Sequence, residues 1–163
     1  MAREIARDYR DGDVHLIAIL KGAMFVVTDL ARALVSTDPS LRCTLDFMAV
    51  SSYGNDTRSS GEVRLLKDTS ESVEGRDILL VEDIVDNGLT LDYLQGLLRS
   101  RAPRSLRTAV LLDKPYRRLA NVTLDYVGLT VPDAFVVGYG LDYQEKYRTL
   151  PFVAKLKDAP PEP

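Results

Sequence analysis

The sequence predicts an α/β fold, a mainly parallel twisted sheet flanked by helices, with a small cap contributed by the chain ends. Apolar runs of strand length at residues 14–20 and 77–82 have the look of strands covered on both faces. Segments with helical spacing follow each of them, at 23–35 and 91–101. The joins are short turns, Lys21-Gly22 in the first unit and an acidic stretch ending in Asn87-Gly88 in the second. Strand, turn and helix in alternation imply parallel strands with crossover helices.

Taken in order, residues 1–11 read as a helix, with Ile5 and Ala6 apolar among charges and a stop at Gly12. Residues 14–20 are the first strand, and Phe25, Val26, Leu30 and Leu34 mark one face of the helix after it. A second strand is expected at 44–50. The eleven polar residues 51–61 that follow contain two glycines, Gly54 and Gly61. Loops of that length without structure of their own are often lids. Residues 62–67 read as a returning strand, 77–82 as the third strong strand, and 91–101 as a helix with Leu91, Leu94, Leu97 and Leu98 on one side. Pro103 ends that helix. Further strands are expected at 107–113, 124–129, 134–137 and 152–156, with a frayed Pro-rich end. At 163 residues the whole chain, 1–163, fits a single domain. The cap is expected from about 1–12 and 130–158.

Composition narrows the function classes. A net charge of −3 offers no surface built to neutralise a polynucleotide backbone. Cys43 is the only cysteine, so no internal disulfide can form and a cysteine zinc site has no support. His15 is the only histidine and lies within an apolar strand, which speaks for packing and against a Ser-His-Asp or Cys-His nucleophile. Residues 1–12 are too charged for a signal peptide, and no apolar run reaches the length of a membrane span. A cytoplasmic protein is expected.

In open α/β sheets ligands sit beyond the carboxyl ends of the strands. Four turns there would converge on one rim: Lys21-Gly22, the 51–61 loop, the 82–90 stretch and Lys114-Pro115. In the third of these, Asn87-Gly88 lets the backbone turn, and the amides at the following helix start can hold a phosphate. Thr90 adds a hydroxyl. Glu82 and Asp83 would repel that phosphate unless a cation intervenes, and hard carboxylate oxygens suit Mg²⁺. Asp86 projects from the turn, where it can act as a base or hydrogen-bond acceptor. Acids at a strand-helix turn can also simply cap the helix. Here the order of paired acids, two apolar residues, Asp, a small turn and Thr favours the ligand site.

That stretch, Val81-Glu82-Asp83-Ile84-Val85-Asp86-Asn87-Gly88-Leu89-Thr90-Leu91, resembles the phosphoribosyl-pyrophosphate signature of type I phosphoribosyltransferases. Leu20-Lys21-Gly22, Ser51-Ser52-Tyr53-Gly54, Leu111-Leu112-Asp113-Lys114 and the run from Phe135 to Tyr143, then Arg148, resemble the 6-oxopurine, hypoxanthine-guanine branch of that family. The resemblance extends from about residue 4 to about residue 156.

The resemblance implies transfer of the phosphoribosyl group from phosphoribosyl pyrophosphate to hypoxanthine or guanine, giving IMP or GMP and pyrophosphate. It implies Mg²⁺ as cofactor, with Glu82, Asp83 and Asp142 as metal contacts. It places Glu82, Asp83, Asp86, Asn87, Gly88, Leu89 and Thr90 on the phosphoribosyl group, with Asp86 the catalytic residue at purine N7. Lys21, Gly22 and Arg148 would hold pyrophosphate, with a cis peptide before Lys21. Lys114, Phe135, Val136 and Asp142 would form the purine site. Lys114 can only donate, which selects a 6-oxo group over the amino group of adenine. Ser51, Ser52 and Tyr53 would open the lid. Asn87 stands where the family usually carries Thr or Ser, which replaces one hydroxyl by a side-chain amide. The chain also begins late against the family's usual N-terminal segment, so either an incomplete cap or a true start upstream of the recorded one is expected. A homodimer or homotetramer is implied, with no nucleic-acid or membrane partner. A xanthine-preferring transferase and a nucleotide-sensing, RNA-binding regulator of the same fold remain as alternatives, the second unsupported by the acidic charge.

Overall fold

A computed structural model of the chain describes residues 1–10, 12–52 and 63–157. A six-stranded sheet is built from β1 (Asp13–Leu20), β2 (Arg42–Ser52), β3 (Val63–Lys67), β4 (Asp77–Val85), β5 (Ser105–Asp113) and β6 (Tyr126–Thr130). Their order is β3-β2-β1-β4-β5-β6. All neighbours are parallel except the edge pair β2 and β3, which is antiparallel. The expected fold class is therefore the observed one.

The centre of the sheet is apolar on both faces because alternate residues of each strand serve different layers. Val14, Leu16 and Ala18 of β1 join Leu79 and Val81 of β4 in one cluster, against α1 (Ala2–Asp8) and α2 (Ala23–Thr37). Ile17 and Ile19 join Ile78 and Leu80 in the other, against Leu91, Leu94 and Leu98 of α3 (Leu89–Arg99). Burying a leucine fully is worth about 1.5–3 kcal/mol, so each helix is held by its apolar stripe more than by its own turns. Buried Gln95 on α3 is satisfied across the layer, donating at 2.8 Å to both Thr108 Oγ1 and the Thr123 carbonyl. Among the described residues no helix is long and apolar enough to cross a membrane.

Several boundaries differ from expectation. β4 does not stop at Glu82 but continues to Val85, because β5 offers ladder partners that far: Glu82 faces Val110, Ile84 faces Leu112 and Val85 faces Asp113. β2 begins at Arg42, two residues early, where it pairs with Asp13 of β1. The late strands are very short, β7 (Val136–Val137) and β8 (Ala154–Lys155), and they pair only with each other in a separate antiparallel sheet. Of the stretches expected to build a cap, residues 1–10 pack on α2 and the main sheet, with Ile5 and Ala6 in its core. The small sheet comes from the other stretch alone.

Candidate active site

The turn after β1 is Lys21-Gly22, and the Leu20–Lys21 peptide is cis, as the family resemblance implied. Gly22 is required by what lies against it. A Cβ there would sit 1.7 Å from Asp83 Oδ2 of β4, so the absent side chain is the space the carboxylate occupies. The Gly22 carbonyl is in turn approached by Gly140, whose Cβ would fall 2.0 Å from that oxygen. Gly140, at φ +105, can adopt a backbone that L side chains rarely reach. Two glycines thus let the β1 turn, the acidic strand and the 138–148 loop meet.

That loop carries Asp142 and Arg148. Arg148 Nη2 pairs with Asp142 at 2.8 Å, and its Nη1 donates to the Gly140 carbonyl at 2.8 Å. Exposed Glu145 reaches both Arg148, at 3.2 Å, and Lys21 Nζ, at 2.9 Å. Lys21, Gly22 and Arg148, the residues expected around pyrophosphate, are therefore neighbours.

Glu82 and Asp83 are adjacent on β4 and so project to opposite faces. Glu82 is 7 % exposed, and burial, reinforced by neighbouring Asp83, pushes its carboxyl well above the usual range. Burial also raises Asp83, against the Ile84 amide that donates to Oδ1 at 2.9 Å. Two cavities open beside them. One, of about 260 Å³, is lined by Asp83, Asp86, Lys114, Phe135, Val136, Asp142 and Arg148 among others. The second, of about 240 Å³, is lined by Glu82, Asp86, Asn87, Gly88 and Thr90 among others. Asp86 borders both. Its Oδ1 is buried without a hydrogen-bond partner among the described residues.

The first cavity gathers the residues expected to form the purine site, Lys114, Phe135, Val136 and Asp142. Lys114, 1 % exposed, sits on its wall with Nζ 3.7 Å from Asp86 and 3.3 Å from Asp133. Phe135 is only partly buried and meets Tyr143 edge-on, ring centroids 5.5 Å apart, so it lines the slot instead of filling the core. The second cavity lies at the start of a helix, where backbone amides can hold an anion. Gly88, at φ +83, turns the chain into α3, whose first residues are Leu89 and Thr90. Asn87 Oδ1 accepts the Leu89 amide at 3.0 Å, so its side chain shapes the turn.

The set expected to hold metal is not gathered. Glu82 opens on one cavity, Asp83 and Asp142 on the other, and no group of three or more possible ligands occurs among the described residues. The donor set still fits Mg²⁺, which is usually held by one or two carboxylates with water and substrate oxygens. Among the described residues no cation is in hydrogen-bond contact with desolvated Glu82 or Asp83. Ser51 and Ser52 end β2 at the same rim, while Tyr53 lies outside the described residues. Sequence reasoning missed Asp133 and Arg118. Both lie within four residues of positions it had singled out, but Asp133 reaches back to Lys114 and Arg117, and Arg118 to the carbonyls of Val85 and Asp86.

The Phosphoribosyl transferase domain family model matches residues 1–144. The chain is 52% identical over 159 residues to a hypoxanthine-guanine phosphoribosyltransferase of Bacillus subtilis (strain 168), covering 98% of this chain and 86% of that protein. It is 52% identical over 162 residues to a Mycobacterium avium protein of the same name, covering 96% and 77%. Among solved structures it is similar to a hypoxanthine phosphoribosyltransferase from Staphylococcus aureus, with a TM-score of 0.88 at 43% identity, covering 96% of this chain and 82% of that one. A hypoxanthine phosphoribosyltransferase from Trypanosoma cruzi, in a ternary substrates complex, gives 0.88 at 43%, covering 96% and 87%.

Proposed function

The chain belongs to the phosphoribosyl transferase family, in its hypoxanthine-guanine branch, and from that premise we propose how its residues divide the work. The activity is purine salvage, in which a ring nitrogen of hypoxanthine or guanine displaces pyrophosphate from C1 of phosphoribosyl pyrophosphate.

The observation that carries the assignment is Asp86 on the wall shared by the two cavities. A base in one and a 5′-phosphate in the other would bring the ring nitrogen and C1 together beside this carboxylate. Asp86 holds the proton at purine N7 as the neighbouring nitrogen attacks, and its unpartnered Oδ1 is the oxygen available for it. Lys114 donates to the 6-oxo group, Phe135 packs on the ring and the Val136 backbone reads the purine edge. The amides of Asn87, Gly88, Leu89 and Thr90, with the Thr90 hydroxyl, hold the 5′-phosphate, and Glu82 faces the ribose.

Lys21, the Gly22 backbone and Arg148 hold the departing pyrophosphate. Asp83 and Asp142, with substrate oxygens, would hold Mg²⁺, which when bound offsets the charge on pyrophosphate. Asp142 is already tied to Arg148, so the metal-side acid and the pyrophosphate-side cation move as one unit. The dimer or tetramer implied by the family belongs to the same proposal, and sedimentation would decide between them.

Steady-state assays with phosphoribosyl pyrophosphate, Mg²⁺ and each purine in turn test the reading. IMP and GMP are the expected products, and no product from any 6-oxopurine would sink it.

A further inference from the structure

The turn between β4 and α3 is backed by a strap, residues 114–120, that takes up its carbonyls one after another. The Lys114 amide donates to the Val85 carbonyl at 2.9 Å. Arg118 Nε donates to the Asp86 carbonyl at 2.9 Å, and Arg118 Nη2 leans on the Val85 carbonyl at 3.4 Å. The amides of Leu119 and Ala120 both donate to the Asn87 carbonyl, at 2.8 and 3.1 Å. Three consecutive peptide groups are therefore fixed from one side.

In a trans peptide the carbonyl and the next N–H point in opposite directions. Carbonyls of Asp86 and Asn87 held by the strap aim the amides of Asn87 and Gly88 the other way, toward the cradle. Among the described residues neither amide donates to a backbone carbonyl. Among the described residues, the bonds to this row of carbonyls that come from a side chain are those to Asp86 and, longer, to Val85, and Arg118 makes both. The Arg118 stem also fits under Gly88, where a Cβ would lie 2.9 Å from Arg118 Cδ. Arg118 is mostly buried, its side chain 21% exposed, and its Nη2 pairs with Asp113.

We propose that Arg118 is a positioning residue for the 5′-phosphate: it orients the peptide planes of the 85–88 turn so that their amides face the ligand. The inference rests on the reading of residues 87–90 as the phosphate cradle. Arg118 acts through geometry and not through its field on the phosphate, because Asp113 neutralises its charge. Nothing in its sequence position announces this, since the carbonyls it holds lie some thirty residues away.

Binding of IMP and of inosine, which lacks the phosphate, separates this role from general bracing. In Arg118→Met, which keeps the stem and loses the donors, IMP binding measured by calorimetry weakens about ten- to a hundredfold. Inosine binding stays within about twofold of the parent, judged against that same loss. Arg118→Lys, which retains charge and one donor, falls in between and serves if the Met variant does not fold. The ratio of variant to parent affinity is the same in low and high salt, whereas a field effect would shrink as salt screens it. Equal losses for IMP and inosine, or no loss for IMP, overturn the proposal. A parent that binds IMP no better than inosine removes the phosphate cradle itself, and this inference with it.

Discussion

At the amino ends of the strands the acids are matched by cations within the protein, whereas at the carboxyl ends the ion pairs of Lys21, Lys114, Arg118 and Arg148 leave Glu82 and Asp83 without a hydrogen-bonded cation among the described residues. Arg42 pairs with Asp13, Arg104 with Asp77, and Asp8 accepts from both Arg107 and Tyr126 at 2.9 Å. The carboxyl groups respond accordingly. Asp8 is lowered mainly by the Tyr126 hydroxyl, Asp13 by Arg42 and Asp77 by Arg104. On the other rim, burial raises Glu82 and Asp83, and the orphaned oxygen of Asp86 lies beside them. Concavity does not distinguish the two rims, since a cavity of about 340 Å³ on the amino rim, lined by His15, Arg76 and the ion pairs, exceeds either of the two described at the carboxyl rim. What distinguishes them is unmet electrostatic demand. Two buried acids without a matching cation are costly to the fold, a mismatch that fits the charged ligand and cation proposed for this rim.

The glycines of the two rims offer the sharpest way to break this comparison. Gly22→Ala forces a methyl into the Asp83 carboxylate, so kcat/KM is expected to fall by about a hundredfold or more. The fold should survive, because the displaced atoms end a side chain. Activity within about twofold of the parent would mean that the contact of Gly22 with Asp83 has no part in the site.

Lys114→Gln is next in size. Removing the ammonium leaves Asp86 without its nearest cation, whereas Asp133 keeps Arg117 at 3.0 Å. The KM for hypoxanthine should rise by about ten- to a hundredfold, with that for phosphoribosyl pyrophosphate little changed. A rise confined to phosphoribosyl pyrophosphate would move Lys114 out of the purine slot.

Opposite effects on stability follow from the pKa directions. Because Glu82 is raised, its ionisation costs the folded state stability as pH climbs from the ordinary carboxylate range through the raised value. Glu82→Gln should therefore raise the melting temperature of the free enzyme at neutral pH by a few degrees while impairing catalysis. That gain should vanish in acid. Asp77 is lowered, so its stabilising effect is full above the ordinary aspartate range and lost as pH falls through the lowered value. Asp77→Asn should thus lower the melting temperature at neutral pH, with activity intact and the deficit closing in acid. Melting curves of both variants from acid to neutral pH give the comparison, and shifts of the same sign would refute it. The smallest effect belongs to Gly75→Ala on the amino rim. A Cβ there meets nothing within 4 Å, but φ is +67, so about 1–2 kcal/mol of stability should be lost with kcat unchanged.

Much of this was legible in the sequence because it is local. The continuous apolar run of β1, the leucine stripe of α3 and the turn chemistry of Gly88 are set by neighbours in the chain. His15 reads correctly as a packed residue, 3 % exposed. The extension of β4 through its acids was not legible, because it depends on the pairing of Glu82, Ile84 and Val85 with β5 residues nearly thirty positions away. The short pairing of β7 with β8 depends on residues nearly twenty positions apart. Family resemblance named the site residues, yet it did not reveal that Asp86 is the common wall of two cavities or that Arg118 braces the turn. Those facts exist only once β4 and β5 lie side by side.

Steady-state kinetics of Asp86→Asn test the central assignment most directly. The account predicts that kcat falls by about 10²–10³ while the KM for phosphoribosyl pyrophosphate changes less than about threefold, because the amide keeps the shape of the wall and loses the proton acceptor. An unchanged kcat, or a loss carried entirely by that KM, would contradict it.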